Sequence, residues 1–359
     1  MKKIGIDARL YSQKGVGTYL QNLLYYLDKK NSKKEKFIIY LLKEDYIKVR
    51  FKSKNIIKRI ADYRWHSFSE QTGFLFTLLK DDLDLMHFTY FSYPIFYWKK
   101  FIATVHDTTP LVFKTGKAST KNQFIYKIKH FIFKLVLWLQ ISRAFKIITP
   151  SKTVKRELTS IYGQRFSTKV QSIYEGINYK IFKTKENKDL AEKFYNFFIY
   201  VGNFYPHKNI DRLIRGFRAV GGKYKLILIG PDDYFSKRLE LNKNIILVKN
   251  PPLTDLIFFY KNAKAIIHPS LSEGFGLPLV EAAYFGTPII ASNIDVFKEL
   301  WNENYITFDP YKETEITEKV KTFIKAPTKI IYGEVLKKYS FEKMTEETLK
   351  IYQRVTQNS

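Results

Sequence analysis

Two successive series of short apolar runs, each alternating with stretches of helical spacing, predict an α/β protein of two doubly wound, parallel-sheet domains. The length points the same way, because 359 residues exceed one compact core of ordinary size. The chain contains no cysteine, which excludes a disulfide framework, a cysteine-ligated metal and a thiol nucleophile.

In the first series a β-type run at Lys3–Ile6 leads through a loop containing Arg9 and Gly17 to Leu20, Leu23, Leu24 and Leu27, spaced as one face of a helix. Further strand candidates are Phe37–Leu42, Leu85–Phe88, Phe101–Val105 and Lys146–Thr149. The second series is cleaner, with candidates at Phe197–Val201, Leu226–Ile229, Ile245–Val248, Ala265–His268 and Pro288–Ala291. Tyr179–Lys193 is rich in Lys, Asn and Glu without a strong apolar pattern and reads as the connection, giving domains 1–180 and 181–339. Tyr339–Val355 reads as an amphipathic helix carrying Phe341, Met344, Leu349 and Tyr352, and a terminal helix over about 340–359 is expected to pack back on the first domain.

Sixty-one Lys plus Arg against 34 Asp plus Glu give a formal net charge of +27. Nucleic acid, an anionic membrane or phosphate-bearing substrate, and plain compositional bias each account for such a balance. No zinc-finger, ribonucleoprotein or arginine-rich pattern supports nucleic acid. Asp7 and Arg9 interrupt the first apolar stretch before a signal sequence forms, and the stretch Phe131–Ser142 is broken by Lys134 and falls short of the roughly 20 apolar residues of a membrane span. A cytoplasmic protein is expected.

The most informative stretch is His268-Pro-Ser-Leu-Ser-Glu-Gly-Phe-Gly-Leu-Pro-Leu-Val-Glu281, which runs on to Gly286. Gly274 and Gly276 let backbone approach a ligand, and Pro278 suits the first turn of a helix that Gly286 ends. The loop therefore delivers peptide N–H groups at a helix N-terminus, an anion site, with Glu273 and Glu281 as acceptors for hydroxyls on either side. This Glu-x7-Glu pattern around Gly-Phe-Gly-Leu-Pro resembles the signature of the retaining glycosyltransferases of family 4. Their GT-B fold has two Rossmann-like domains facing a deep interdomain cleft.

The resemblance extends to Ile199-Tyr-Val-Gly-Asn-Phe-Tyr-Pro-His-Lys-Asn209, similar to the first strand and phosphate loop of the family's second domain. Lys208 stands just before a helix start, where an ammonium and a helix terminus attract a diphosphate together. Asn203 and His207 stand near Gly202 where relatives often carry arginine, so His207 or a nearby lysine is left to complete the phosphate charge. In the first domain Gly15-Val16-Gly17 opens a helix and resembles the family's glycine loop near donor phosphate and acceptor. A dinucleotide site is disfavoured, because the loop begins about eight residues after the strand and Leu20 takes the place of the third fingerprint glycine. Val105-His106-Asp107-Thr-Thr-Pro110 resembles the segment whose histidine contacts the donor sugar. Asp81-Asp-Leu-Asp84 mimics a metal-binding Asp-x-Asp, but it runs into Leu85–Phe88 and reads as a solvated cap. Trp65 and Glu70-Gln71 also look family-like and receive no chemistry.

The resemblance implies transfer of a hexose-type sugar from a GDP- or UDP-sugar to a glycan or lipid-linked acceptor, with anomeric configuration retained and no metal or other cofactor. Cell-surface polysaccharide or lipopolysaccharide synthesis is the implied setting. By the matched positions, Glu281 holds the ribose hydroxyls, Lys208 the diphosphate, and His106 the sugar from the other domain. Glu273 holds the donor sugar together with the backbone of Gly274, Phe275, Gly276 and Leu277, all four counted among the donor-binding residues. Same-face substitution, with the leaving phosphate helping to deprotonate the acceptor, replaces the covalent intermediate of two-carboxylate hydrolases. A GT-B phosphorylase or epimerase and a catalytically silent nucleotide-sugar-binding subunit are the rival readings. Finally, Phe91–Phe101 and Asn122–Lys146 interleave aromatic residues with Lys and Arg. Either they lie on an anionic membrane at its inner face, or Ile128, Phe131, Leu135 and Trp138 form the buried stripe of an ordinary helix.

Overall fold

The computed structural model describes residues 1–30, 34–113 and 123–357. Asn122, which opens the second aromatic and basic segment, and Asn358 and Ser359 at the end of the terminal helix lie outside the described residues. The chain forms two compact units, Met1–Glu175 with Ser340–Ser359, and Gly176–Tyr339.

The first unit runs β1 (Lys2–Asp7), α1 (Val16–Lys30), β2 (Glu35–Leu41), α2 (Lys43–Lys48), β3 (Ile56–Ile60), α3 (Leu75–Asp81), β4 (Leu85–Phe88), β5 (Phe101–Thr104), α4 (Thr109–Val112), α5 (Gln123–Arg143), β6 (Ile147–Thr149), α6 (Lys152–Tyr162) and β7 (Val170–Ser172). Its sheet is parallel in the order β3-β2-β1-β4-β5-β6-β7, with Ile4 opposite Phe37 on one side and Leu85 on the other. The central strands β4 and β5 are buried at every residue, without alternation, because helices cover both faces. Leu20, Leu23, Leu24 and Leu27 of α1 are all buried, as their spacing requires.

The second unit runs β8 (Phe197–Val201), α7 (Ile210–Arg218), β9 (Lys225–Gly230), β10 (Ile245–Lys249), α8 (Leu253–Asn262), β11 (Ile266–His268), α9 (Leu277–Tyr284), β12 (Ile289–Ser292), α10 (Asp295–Trp301), β13 (Ile306–Phe308), α11 (Glu313–Lys325) and α12 (Gly333–Leu336). The order β10-β9-β8-β11-β12-β13 is again all parallel. Both units are therefore Rossmann-like, the fold class expected from the sequence. In such sheets ligands bind beyond the carboxyl ends of the strands where the order reverses. That places the two points of interest after β1 and β4 in the first unit, and after β8 and β11 in the second.

The last helix, α13 (Phe341–Gln357), belongs to the first unit. Tyr352 packs against Phe37 and its hydroxyl meets His87 Nδ1 at 2.7 Å, while Lys30 pairs with Glu346. The division between units falls at Glu175/Gly176, ahead of the expected boundary, and Tyr179–Lys193 lies within the second unit. Its polar residues are not a free tether: Asn187 Nδ2 donates to Asp255 Oδ1 (3.0 Å) and Glu186 pairs with Lys261, both on α8. Three strands escape the sequence reading. β3 is an edge strand with Lys58 and Arg59 inside it, and β7 and β13 are three residues each. Among the described residues no helix is long and apolar enough to cross a membrane.

Candidate functional site

The loops after β8 and β11 meet at the switch point of the second unit. Gly202 directly follows β8 and its N–H donates to Ile229 O at 3.0 Å, so its backbone is still tied to the neighbouring strand. A single 3₁₀ turn, Pro206–Lys208, then ends at Asn209, which takes a left-handed conformation (φ 59°) and opens α7. Asn209 Nδ2 donates to the carbonyls of Pro269 (3.1 Å) and Pro310 (2.8 Å), and Leu271 N donates to His207 O at 2.8 Å. These bonds fix the lysine-bearing turn against the glutamate-bearing loop. Gly276 caps α9 at φ 91°, and a Cβ there would come within 2.9 Å of the Phe297 ring, so this position requires glycine. Among the described residues no side chain caps the α9 N-terminus, which begins at Leu277.

Phe275, expected among the donor-binding residues through its backbone, turns its side chain into the protein. Its ring is buried, 4% exposed, and stands edge-on to Tyr339 with centroids 5.4 Å apart. An aromatic ring of this size gains about 1.5–3 kcal/mol by leaving water, and here that drives it into the core of the second unit. The Phe275 side chain is thus an anchor for the loop between Glu273 and α9, and the donor contact expected of this residue is one of its backbone.

Three donors converge on one oxygen of Glu273. Lys208 Nζ lies 2.6 Å from Oε1, and His268 Nε2 and Ser270 Oγ each lie 2.8 Å from it. Burial pushes the Glu273 carboxyl up, but the Lys208 ammonium and the His268 contact outweigh it and hold the group well below the usual carboxylate range. Burial also lowers His268 against the pull of Glu273, so the ring is neutral and its Nε2–H donates. His268 stacks on Tyr200, with ring centroids 5.4 Å apart. His207, on the same turn as Lys208, is driven down to about 4 by burial and by the adjacent ammonium. At neutral pH it is a neutral ring, and the cation of this turn is Lys208. Asn203 supplies its carbonyl to Tyr200 Oη at 2.5 Å, and its own Oδ1 accepts from Tyr205 N at 3.4 Å.

Glu281, one turn into α9, behaves in the opposite way. Burial raises its carboxyl to about 7, partly offset by a 2.8 Å bond donated by Tyr260 Oη of α8. The second unit thus holds two carboxyls of opposite character, one fixed as an anion and one poised to exchange a proton near neutrality. Sequence reasoning names Lys208, Glu273 and Glu281 and misses His268, Ser270 and Tyr260. His268 and Ser270 sit inside the quoted motif, whereas Tyr260 carries no motif at all.

In the first unit Gly15 takes φ 77° and α1 begins at Val16. A Cβ on Gly17 would lie 2.6 Å from Tyr11 O, so the loop closes tightly only around glycine. His106 Nε2 lies 2.9 Å from Thr89 O, beyond the end of β4, and Nδ1 lies 3.4 Å from Glu175 Oε1. The ring also stands edge-on to Tyr19 at 4.8 Å. Glu70 is buried and pairs with Arg9 Nη2 at 2.7 Å, while Asp7 takes Arg9 Nε (2.8 Å) and Nη2 (2.7 Å). The acidic run is only partly the solvated cap expected of it: Asp82 ends α3 in a left-handed conformation and pairs with Lys99, but Asp81 is largely buried and bonds Tyr40 Oη and Arg59. Asp84 accepts from Lys3 N at 2.7 Å. Among the described residues no three His, Asp or Glu side chains are grouped so as to hold a metal ion.

This geometry can be set beside known proteins. Residues 182–342 match the family glycosyl transferases group 1. The group 1 glycosyl transferase match spans the loops of Lys208 and Glu273 and the helix of Glu281. In sequence the chain is 29% identical over 260 residues to the O-antigen chain mannosyltransferase RfbU of Salmonella typhimurium, covering 69% of this chain and 72% of that one. In structure it is similar to a sucrose-phosphate synthase from Thermosynechococcus elongatus (TM-score 0.78, 17% identity, all of both chains). It is also similar to Anabaena HepE in complex with UDP and glucose (TM-score 0.73, 15% identity, 99% of this chain and all of that one). At these identities the structural likeness establishes the fold, which is that of the GT-B glycosyltransferases.

Proposed function

We propose that the protein is a retaining, metal-independent glycosyltransferase that moves a hexose-type sugar from a nucleoside-diphosphate sugar to a glycan or lipid-linked acceptor in cell-surface polysaccharide synthesis. The observation that carries the reading is the cluster at the end of β8 and β11, where Lys208, His268 and Ser270 converge on the Glu273 carboxylate beside the uncapped N-terminus of α9. An ammonium and helix amides there answer the charge of a diphosphate, and an ionised carboxylate held on the protein by one oxygen accepts sugar hydroxyls. Glu281, held by Tyr260, is assigned to the ribose hydroxyls. The similarity to an O-antigen mannosyltransferase supports the setting, and the UDP and glucose bound by HepE support the donor class.

In the proposed reaction the bond from the anomeric carbon to the donor phosphate breaks and a bond to the acceptor oxygen forms on the same face. The acceptor proton passes to the departing phosphate oxygen. Negative charge grows on that phosphate, and Lys208 with the α9 amides stabilises it without further reorganisation. Glu273 is held too acidic to serve as a proton donor, which leaves it a binding role. The test incubates the purified protein with GDP-mannose and with UDP-glucose, scores release of nucleoside diphosphate in an acceptor extract, and reads the anomeric configuration of the product by NMR. Inverted product defeats the retaining assignment. Absence of turnover and of binding with both donors defeats the donor class.

A further inference from the structure

The outward face of α5 is the place where the molecule departs most from an ordinary packed helix. Leu137, Gln140 and Ile141 are buried under it, and Phe133 packs on Phe91 at 5.8 Å, so the helix is docked. Yet Ile128, Phe131, Ile132, Leu135 and Trp138 are all exposed, Phe131 by two-thirds. The apolar stripe read from the sequence as a possible core face is therefore the face turned away from the core. Lys127, Lys129 and Lys134 stand exposed among these side chains.

The neighbouring loop continues the surface. Arg143 of α5 donates to Tyr97 O at 2.8 Å, which ties the loop to the helix, and Phe96 and Trp98 on either side of Tyr97 are each exposed by about two-thirds. The stretch of chain that carries α5 has charge of one sign. From Thr108 to Arg156 the sequence holds 11 Lys and Arg and no Asp or Glu.

We infer that this face of the first unit, the α5 side chains with Phe96 and Trp98, docks on a membrane surface of anionic lipid. Nucleic acid accounts for the lysines but leaves the exposed Ile, Leu and Phe side chains without a use. An anionic bilayer accounts for both, since rings and aliphatic chains enter the headgroup region while the ammonium groups stay on the lipid phosphates. The inference bears on where the transferase proposed above works, and its test needs neither donor nor turnover.

The test is co-sedimentation of the full chain with vesicles of phosphatidylcholine alone and of phosphatidylcholine with phosphatidylglycerol, at low and high salt. Binding is expected to the anionic vesicles only and to weaken steeply with salt. Each lysine near such a surface contributes about fivefold, so losing three costs on the order of a hundredfold in partitioning, and K127E/K129E/K134E, which reverses their charge, loses at least that. Phe131→Ser with Trp138→Ser weakens binding while leaving the lysines in place, and circular dichroism checks that both variants stay folded. Equal binding to both vesicle types, no binding to either, unchanged binding in the folded variants, or self-association through this face without vesicle binding overturns the inference.

Discussion

Glu281 offers the sharpest check on the electrostatics of the second unit, through the substitution Glu281→Gln. Burial raises this carboxyl from its ordinary 4.5 to about 7, against a partial correction from Tyr260. Below about pH 4.5 the folded and unfolded chains both carry the proton and no penalty applies. Between pH 4.5 and 7 the unfolded chain ionises while the folded one holds its proton, so the contribution of Glu281 to stability is lost as pH rises through about 7. The full difference is about 3 kcal/mol, to order of magnitude. Glutamine keeps an acceptor for the Tyr260 hydroxyl and removes the titration. Denaturant unfolding of wild type and variant from pH 4.5 to 8 is therefore expected to show the wild type losing about 3 kcal/mol relative to the variant. The same carboxyl must ionise to accept two ribose hydroxyls, so affinity for a nucleotide sugar rises with pH through about 7 in the wild type and stays flat in the variant. A nucleotide sugar suits this test because its diphosphate has no group titrating in that range. A pH-independent stability difference between the two proteins refutes the account.

Lys208→Ala removes the ammonium that pairs with Glu273, and a lost charge-assisted contact of about 1.5–3 kcal/mol corresponds to roughly ten- to hundredfold in kcat/KM. Wild-type kinetics in the folded variant takes Lys208 out of the site. Donor turnover is expected to persist in excess EDTA, and loss restored only by added divalent cation reverses the metal-free assignment. Gly276→Ala forces a side chain into φ 91° and towards Phe297, and unfolding experiments should show about 1–2 kcal/mol of destabilisation. His106→Ala is expected to lower turnover without changing donor affinity of the second unit, measured by thermal shift with nucleoside diphosphate.

The parts of the fold that are legible in the sequence are those where one interaction dominates. Central parallel strands such as Phe197–Val201 are buried on both faces, so burial alone writes a continuous apolar run. β3 is missed because an edge strand tolerates Lys58 and Arg59. The site divides in the same way. Lys208 and Glu273 are legible because glycine, proline and helix-start chemistry surround them. Phe275 shares that motif, yet the motif is silent on where a ring between two glycines points, and burial against Tyr339 decides it. Tyr260 stands 21 residues before Glu281, and only the packing of α8 against α9 brings its hydroxyl to the carboxyl. In α5, periodicity reveals a stripe but not its direction, because Leu137 and Ile141 on the inner side are as apolar as Phe131 and Trp138 on the outer.

The two buried charge clusters show why residue type alone assigns no role. Arg9 spends its donors on Asp7, Glu70 and the Tyr63 carbonyl, lies 4.0 Å over the Phe74 ring and is 2% exposed. Glu70 is further bonded by Ser92 Oγ and His66 N. This closed network leaves no face for a ligand, and losing one member strands a buried charge at a cost of about 3–5 kcal/mol. Its action is on the shape of the loop that follows β1, where Gly15 and Gly17 sit. Lys208 and Glu273 use the same chemistry at a strand end, but among the described residues the ammonium pairs with that carboxylate alone, both side chains are at least 10% exposed, and a helix N-terminus stands beside them. A diphosphate can compete for that ammonium, because Glu273 keeps His268 and Ser270 when Lys208 turns away. Arg9→Leu is accordingly expected to cost stability in the first unit while leaving nucleotide affinity unchanged, and Lys208→Ala to lower nucleotide affinity beyond any cost in stability from leaving Glu273 without its ammonium. Thermal shift of each variant with and without nucleoside diphosphate separates the two, and equal loss of nucleotide response in both would refute the distinction.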